Sequence, residues 1–385
     1  MEENWGSFNS TDNNTATFTN TSLDIDYLKK EVGQRFPFYD MRSSRDTAAF
    51  YVRFDKEVLE EKFNSLRKTL SEKDYIPMLR FEGGEHIIYV IKKRKKKEKS
   101  PWINYALIIA ALITTTLTGA VINMDYFSLL DLPNILEVFT PKNIVSGALF
   151  FAFPLMAILV IHEMGHYYIS KKHGISTSLP FFLPIPPVIP NFNIGTFGAL
   201  ISSRDPMPNK KALFDVGFSG PAVGFLVALP VTIIGIMTSD IVPIEQISQQ
   251  EIVFGTSLLF YFLTELLLDI PQNFVLNMNL TAFAGWVGLL ITSINLLPAG
   301  QLDGGHIFRS FLGEKQKYAG WLAIFIMIFT GWLFFALIIV FMMGMKHPPP
   351  LNDATNLDNK RKLLFFAALI ILILCFIPFP IYTYQ

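Results

Sequence analysis

The stretch VSGALFFAFPLMAILVIHEMGHYYIS, residues 145–170, decides the fold. The hydrocarbon core of a bilayer takes about 20 residues of apolar helix to cross, and this run is long enough to do so. Yet it carries His162, Glu163 and His166. Ionisable groups at membrane depth are costly, and where they occur they mark function. On a helix, His162 and His166 at spacing i, i+4 project from one face, one above the other. That separation suits two ligands of one small cation, and Glu163 stands beside them to handle protons. The bland alternative is a pair of helix histidines making ordinary hydrogen bonds. It explains poorly why they lie inside an apolar span.

Working outward, the chain is built like its deciding stretch. Its 385 residues are 51% hydrophobic and only 17% charged, with mean hydropathy +0.37. An average soluble protein carries about a quarter charged residues. Further apolar runs lie at about Trp102–Ile122, Ala212–Met237, Glu251–Leu268, Thr281–Leu297, Tyr318–Gly344 and Leu363–Ile381. The 32 basic and 32 acidic residues cancel, so nothing points to a nucleic-acid partner. A single cysteine, Cys375, rules out a disulfide framework and a Cys-type zinc site. Between the second and third runs, Pro180, Pro184, Pro186, Pro187 and Pro190 forbid a helix and a central strand.

A catalytic zinc keeps three protein ligands and one open position. The acids in or beside the later runs are Asp215, Glu265, Asp269 and Asp303. Asp215 follows Lys210 and Lys211 and reads as interfacial. Glu265 and Asp269 have no histidine and no helix break beside them. Asp303 lies in NLLPAGQLDGGH, residues 295–306, where Pro298, Gly300, Gly304 and Gly305 weaken the helix. Irregular backbone at membrane depth is tolerated only where it is buried in protein or lines a cavity. Asp303 is therefore the expected third ligand. His306 is the alternative ligand, although a histidine near the water edge is more often solvated.

His162-Glu163-x-x-His166, followed far downstream by Asn295-x-x-Pro298-x-x-x-Leu302-Asp303-Gly304, resembles the site-2 protease family of intramembrane zinc metalloproteases. Phe218-Ser-Gly220-Pro221-Ala-Val-Gly224 is similar to that family's middle core helix. The likeness covers about residues 145–312. Gly195-Thr-Phe-Gly-Ala and Pro348–Thr355 look like its archaeal and plastid branch, and no PDZ-like insert is present. The resemblance implies a zinc metalloendopeptidase that hydrolyses peptide bonds within transmembrane segments. One Zn2+ would be held by His162, His166 and Asp303, with Glu163 as base. It also implies that Asn295 hydrogen-bonds the developing oxyanion or the substrate backbone. Single-span membrane proteins would be the substrates.

A helical substrate must unwind before it is cut, and its freed backbone then needs partners. Gly195–Ile201 reads as a short exposed strand that would supply them by β-augmentation, through Gly195, Phe197, Gly198 and Ala199. A plain surface loop is an equal reading. Two rivals come from other classes: a metal-dependent transporter or channel with His162, His166 and Asp303 along an ion path, and a catalytically dead membrane scaffold that kept its zinc site, against which the intact Glu163 argues. A closer rival is a membrane-anchored zincin acting on soluble proteins. Neither an inverted repeat nor a soluble helix bearing a downstream Glu ligand is visible.

The expected fold is an all-α polytopic membrane protein. It has six transmembrane helices, a re-entrant or interfacial segment at 251–268, and a small α+β N-terminal soluble domain. Residues 1–24 read as a disordered tail, 25–99 as a cytosolic α+β domain and 100–385 as the transmembrane domain. Within 25–99, a strand at Ala48–Phe54 precedes a helix bearing Leu59, Phe63, Leu66 and Leu70, then strands at Tyr75–Glu82 and Glu85–Lys92 joined at Gly83-Gly84. The unit shows no catalytic cluster, so a docking or regulatory role is expected. The basic run Lys92–Lys99 before the first span predicts a cytosolic N-terminus, here at a prokaryotic cell membrane. Matching the depths of His166 and Asp303 puts both termini on the cytosolic side. Lys346, Lys360 and Arg361 then fall outside, against the positive-inside tendency.

Overall fold

A computed structural model describes residues 23–55, 57–93, 101–124, 135–186, 194–200, 205–246 and 252–383. Residues 1–22 of the expected tail at 1–24, most of the basic run (94–99), Pro187, Pro190 and Ile201 lie outside the described residues. The chain divides into two compact units. One comprises Met1–Pro77 with Phe81–Arg94, the other Met78–Arg80 with Lys95–Gln385.

The N-terminal unit contains helix α1 (Ile25–Gly33), strands β1 (Phe38–Ser43) and β2 (Thr47–Val52), helix α2 (Leu59–Ser71), and strands β3 (Tyr75–Glu82) and β4 (Glu85–Lys92). The sheet is antiparallel in the order β1-β2-β4-β3. Helix α2 forms because Leu59, Phe63, Leu66 and Leu70 share one face, and all four are buried. Strand β2 buries Ala48, Phe50 and Val52 in strict alternation. Sequence patterning did not locate α1 or β1. Strand β1 buries no residue completely, so it lacks the alternation that reveals a strand.

The C-terminal unit is a helical bundle. Helix α3 (Trp102–Ile122) is followed by α4 (Ile135–Val138) and α5 (Pro141–Ser146), a π-helical turn (Gly147–Ala152) and α6 (Phe153–Lys172). Strands β5 (Phe181–Pro184) and β6 (Thr196–Leu200) form a two-stranded antiparallel ribbon. After α7 (Lys210–Met237) come β7 (Asp240–Pro243), β8 (Ile252–Phe254), α8 (Leu258–Leu267) and β9 (Phe274–Asn277). The chain continues through α9 (Leu280–Leu296), α10 (Asp303–Leu312), α11 (Gln316–Phe329), α12 (Leu333–Ile338), α13 (Asn359–Cys375) and β10 (Ile381–Thr383). Among the described residues, three helices are long and apolar enough to cross a membrane: Trp102–Ile122, Pro141–Lys172 and Lys210–Met237. The core gathers around Trp286, Phe283, Phe151, Leu155 and Leu289, and the Trp286 indole donates to the Gly255 carbonyl at 2.7 Å.

Polar contacts fix the two ends of this bundle. At one end, His173 after α6 lies 2.9 Å from Asp215 near the start of α7, and Arg361 near the start of α13 pairs with the same carboxylate. At the other, Asn279 before α9 meets Thr238 and Ser239 after α7. The run Glu251–Leu268 does not form one span-length helix. It gives the three-residue strand β8 and the ten-residue helix α8, with Glu265 and Asp269 exposed.

The run Tyr318–Gly344 corrects the sequence reading. It is not one crossing but a helical hairpin. Helix α11 ends at Phe329, the chain turns at Thr330–Trp332, and α12 returns through a second π turn at Ile339–Met343. Gly331 has φ +78° in the turn, a conformation that side-chain-bearing residues rarely adopt. The hairpin brings His347 back to Gln316, whose side-chain Oε1 accepts the His347 backbone N–H at 3.3 Å. Lys346 and Arg361 therefore stand at the same end as Lys171 and Lys172. At the opposite end, the Phe379 N–H donates to the Thr330 carbonyl and the Trp332 indole to Ile377. Within this unit, α13 therefore starts at the end bearing Lys171 and Lys172 and finishes, at Cys375, toward the opposite end. Hydropathy did not reveal the hairpin because an apolar run measures length and says nothing of a turn within it.

Candidate metal centre

Helix α6 delivers His162, Glu163 and His166, all more than nine-tenths buried. Helix α9 ends at Leu296, and the backbone is irregular until α10 begins at Asp303. The carbonyls freed by that break are satisfied within the protein. Pro298 accepts the Gln316 side-chain amide at 2.7 Å, and Ala299 accepts the Leu302 N–H at 3.2 Å. This irregularity lets Asp303 turn inward as the first residue of α10.

One oxygen of Asp303, Oδ2, lies 3.2 Å from Nε2 of His162 and 3.2 Å from Nε2 of His166. The two Nε2 atoms are 3.1 Å apart. Three donors each about 2.0–2.1 Å from one tetrahedral zinc would stand about 3.4 Å from one another. The cluster is close to that separation. Among the described residues it is the one group of three or more His, Cys, Asp or Glu able to hold a metal ion.

Helix α7 finishes the centre without supplying a ligand. Its Val216 carbonyl accepts the Nδ1 hydrogen of His166 at 2.8 Å, which leaves Nε2 free to bind a cation. Its glycines let it approach: a β-carbon at Gly220 would collide with the His166 ring, and one at Gly224 would lie 2.9 Å from His162 Nδ1. Asn295, in the last turn of α9, places its amide nitrogen 3.4 Å from His162 Nε2. The centre can hold a divalent cation by two nitrogens and an oxygen, with a carboxylate (Glu163) adjacent in sequence.

Sequence reasoning could not see Val216, because a backbone carbonyl leaves no mark on composition. Asp215 is no ligand; it pairs with His173 and Arg361. His306, expected to be solvated, is partly buried, with its Nδ1 out of solvent and its ring 4.4 Å from that of His347. The four residues suggested for strand addition fall in or beside β6, which pairs Ala199 with Phe182 and Thr196 with Pro184. The Gly195 carbonyl is already engaged by the Ile185 N–H and the Thr114 hydroxyl, and the Gly198 N–H by Thr196 Oγ1. Phe197 is 75% exposed.

Residues 150–338 match the protein family described as Peptidase family M50. The chain is 25% identical over 327 residues to "Probable zinc metalloprotease EGY1, chloroplastic" of Oryza sativa subsp. japonica, covering 77% of this chain and 54% of that protein. It is 28% identical over 255 residues to "Probable zinc metalloprotease EGY2, chloroplastic" of Arabidopsis thaliana, covering 64% and 45%. It is 25% identical over 189 residues to "Zinc metalloprotease MJ0392" of Methanocaldococcus jannaschii, covering 48% and 41%. The chain thus spans about half the length of the curated relatives it matches. Every residue that converges on the centre lies inside the matched region, and residues 150–338 carry a domain of Peptidase family M50, the site-2 protease family.

Proposed function

We propose that this protein is an intramembrane zinc metalloendopeptidase that cuts membrane proteins within their transmembrane segments. The observation that carries the reading is the meeting of His162 Nε2, His166 Nε2 and Asp303 Oδ2 at 3.1–3.2 Å, inside an apolar bundle. Zinc, when bound, supplies a Lewis acid that polarises a peptide carbonyl and acidifies a water. His162, His166 and Asp303 hold it. Glu163 takes the proton of the attacking water and returns it to the leaving amine. Asn295 directs its amide toward the same centre and donates to the oxyanion as charge develops there.

Strand β6 presents substrate. In the two-stranded ribbon, β6 pairs with β5 alone among the described residues, so an unwound segment adds along its other edge. With the Gly195 carbonyl and the Gly198 N–H engaged internally, Phe197 and Ala199 carry that pairing. The substrates are single-span membrane proteins, and the N-terminal α+β domain is a docking or regulatory module.

The end of the bundle bearing Lys171, Lys172, Lys210, Lys346 and Arg361 is placed in the cytosol, in accord with the positive-inside rule. The segment before Trp102 lies on that side and the C-terminus on the other. The six crossings expected from hydropathy are replaced by α3, α5–α6, α7, α9–α10 and α13, plus the α11–α12 hairpin. A prokaryotic cell membrane is the proposed location, as suits the relative in Methanocaldococcus jannaschii; the plant relatives are named chloroplastic.

The test is to reconstitute the protein in liposomes with labelled single-span substrates and to map the products by mass spectrometry. Chelator-sensitive cuts inside the spans are expected. Cuts confined to extramembrane segments, or indifferent to chelation, would reject the proposal.

A further inference from the structure

The segment between α12 and α13 doubles back along the entry to α7. Its Leu351 N–H donates to the Met207 carbonyl at 2.8 Å and its Asn352 N–H to Pro208 at 2.9 Å. Asn352 also bridges Asn209, the residue that caps α7. These contacts fix the position of the next residue, Asp353. Its Oδ2 accepts from the Arg309 guanidinium at 2.7 Å, while Oδ1 stands 3.6 Å from Lys210 Nζ, an ion-pair distance beyond hydrogen bonding. Arg309 is 4% exposed. A guanidinium so far from water needs its counter-charge.

The two cations belong to different helices. Lys210 opens α7, about 9 Å of helical rise before Val216, and Arg309 lies in α10, about 9 Å beyond Asp303. Val216 orients His166, and Asp303 supplies the carboxylate oxygen. One side chain therefore ties together the two helices that complete the centre begun by α6. Helix α10 has particular need of a tie, because the irregular backbone at 297–302 leaves it without a rigid continuation from α9. A slide of α10 against α7 would alter the 3.2 Å separation of Asp303 Oδ2 from His166 Nε2 directly. Metal–ligand distances tolerate changes of only about 0.2 Å.

We propose that Asp353 is a positioning residue for the metal centre, holding α7 and α10 in the register at which Asp303 and the oriented His166 share one cation. The inference rests on the metal-binding reading above. It adds a residue that touches neither metal nor substrate.

The test compares metal binding in the full-length, detergent-solubilised protein and its variants. Zinc affinity is measured by chelator competition, and the Co2+-substituted protein gives an absorption spectrum. Loss of an outer-shell partner typically weakens metal binding about 10- to 100-fold, and Asp353→Asn should fall in that range, with a changed Co2+ band and partial rescue by Asp353→Glu. Asp358→Asn is the control. It removes a charge that pairs with Arg361 at the same end of the bundle. Asp358 lies before α13 and makes no hydrogen bond to α6, α7 or α10 among the described residues, and the variant should keep wild-type affinity and spectrum. If Asp353→Asn does not fold, Lys210→Met takes its place, with a smaller loss of affinity expected. Wild-type affinity and spectrum in Asp353→Asn, or an equal loss in Asp358→Asn, would overturn the proposal. A wild-type protein that binds neither zinc nor Co2+ would instead overturn the metal-binding reading.

Discussion

Gly220 of α7 lies directly against the imidazole of His166, so close that a β-carbon at this position would intrude on the ring. The contact explains why the third helix at the centre gives no ligand. Its backbone must pass near enough for Val216 to hold His166 Nδ1, and any side chain at Gly220 would occupy the ring's space. Gly220→Ala should therefore drop bound zinc well below one per chain and abolish proteolysis. Gly224→Ala, whose β-carbon would lie 2.9 Å from His162 Nδ1, should lose less of both. Overpacking of this kind typically costs about 1–3 kcal/mol, so thermal unfolding should show a lowered Tm for Gly220→Ala. Metal analysis of the two purified variants checks the order. Full zinc in Gly220→Ala would contradict the packing argument.

Glu163 and Asp303 differ in role, and substitution separates them. Glu163→Gln should leave zinc near one per chain while cutting turnover by about 10²- to 10⁴-fold, the usual worth of a positioned base. Asp303→Asn should weaken zinc retention as well, since it removes the anionic oxygen between the two imidazoles. Metal content and turnover measured side by side decide the assignment. Zinc loss in Glu163→Gln would make that residue a ligand instead.

The α11–α12 hairpin makes a topological prediction. In a Cys375→Ala background, single cysteines at Lys346 and at Lys172 should react with an impermeant reagent from the same side. A cysteine at Gln272 should react from the other. Labelling of the Lys346 position from the Gln272 side would restore a single crossing through 318–344.

Strand addition at β6 predicts a separation of turnover from metal binding. A proline at Phe197 or at Ala199 removes a backbone donor, and at least one of these N–H groups faces the substrate edge. Turnover should fall in that variant while zinc stays near one per chain. Unchanged turnover in both variants would remove β6 from the substrate path.

The sequence by itself determined the parts of this protein that depend on local spacing. His162 and His166 share a face because of the helical repeat. Leu59, Phe63, Leu66 and Leu70 declare α2 for the same reason. Pro298 and Gly300 announce the break that frees Asp303. Each signal lies within a few residues of what it specifies. Tertiary structure alone decided the rest, because the determinants are far apart in the chain or carry no side chain. The reversal at Thr330–Trp332 is hidden inside apolar residues that would serve one long helix equally well. The hold of Val216 on His166 comes from a carbonyl that every residue possesses. Asp353 reads as an ordinary loop acid until folding sets it between Lys210 and Arg309. Asp215 could be weighed as a ligand only until the fold gave it to His173 and Arg361. A metal site needs atoms placed to tenths of an ångström, and it is the packing of α6, α7 and α10 that supplies such placement.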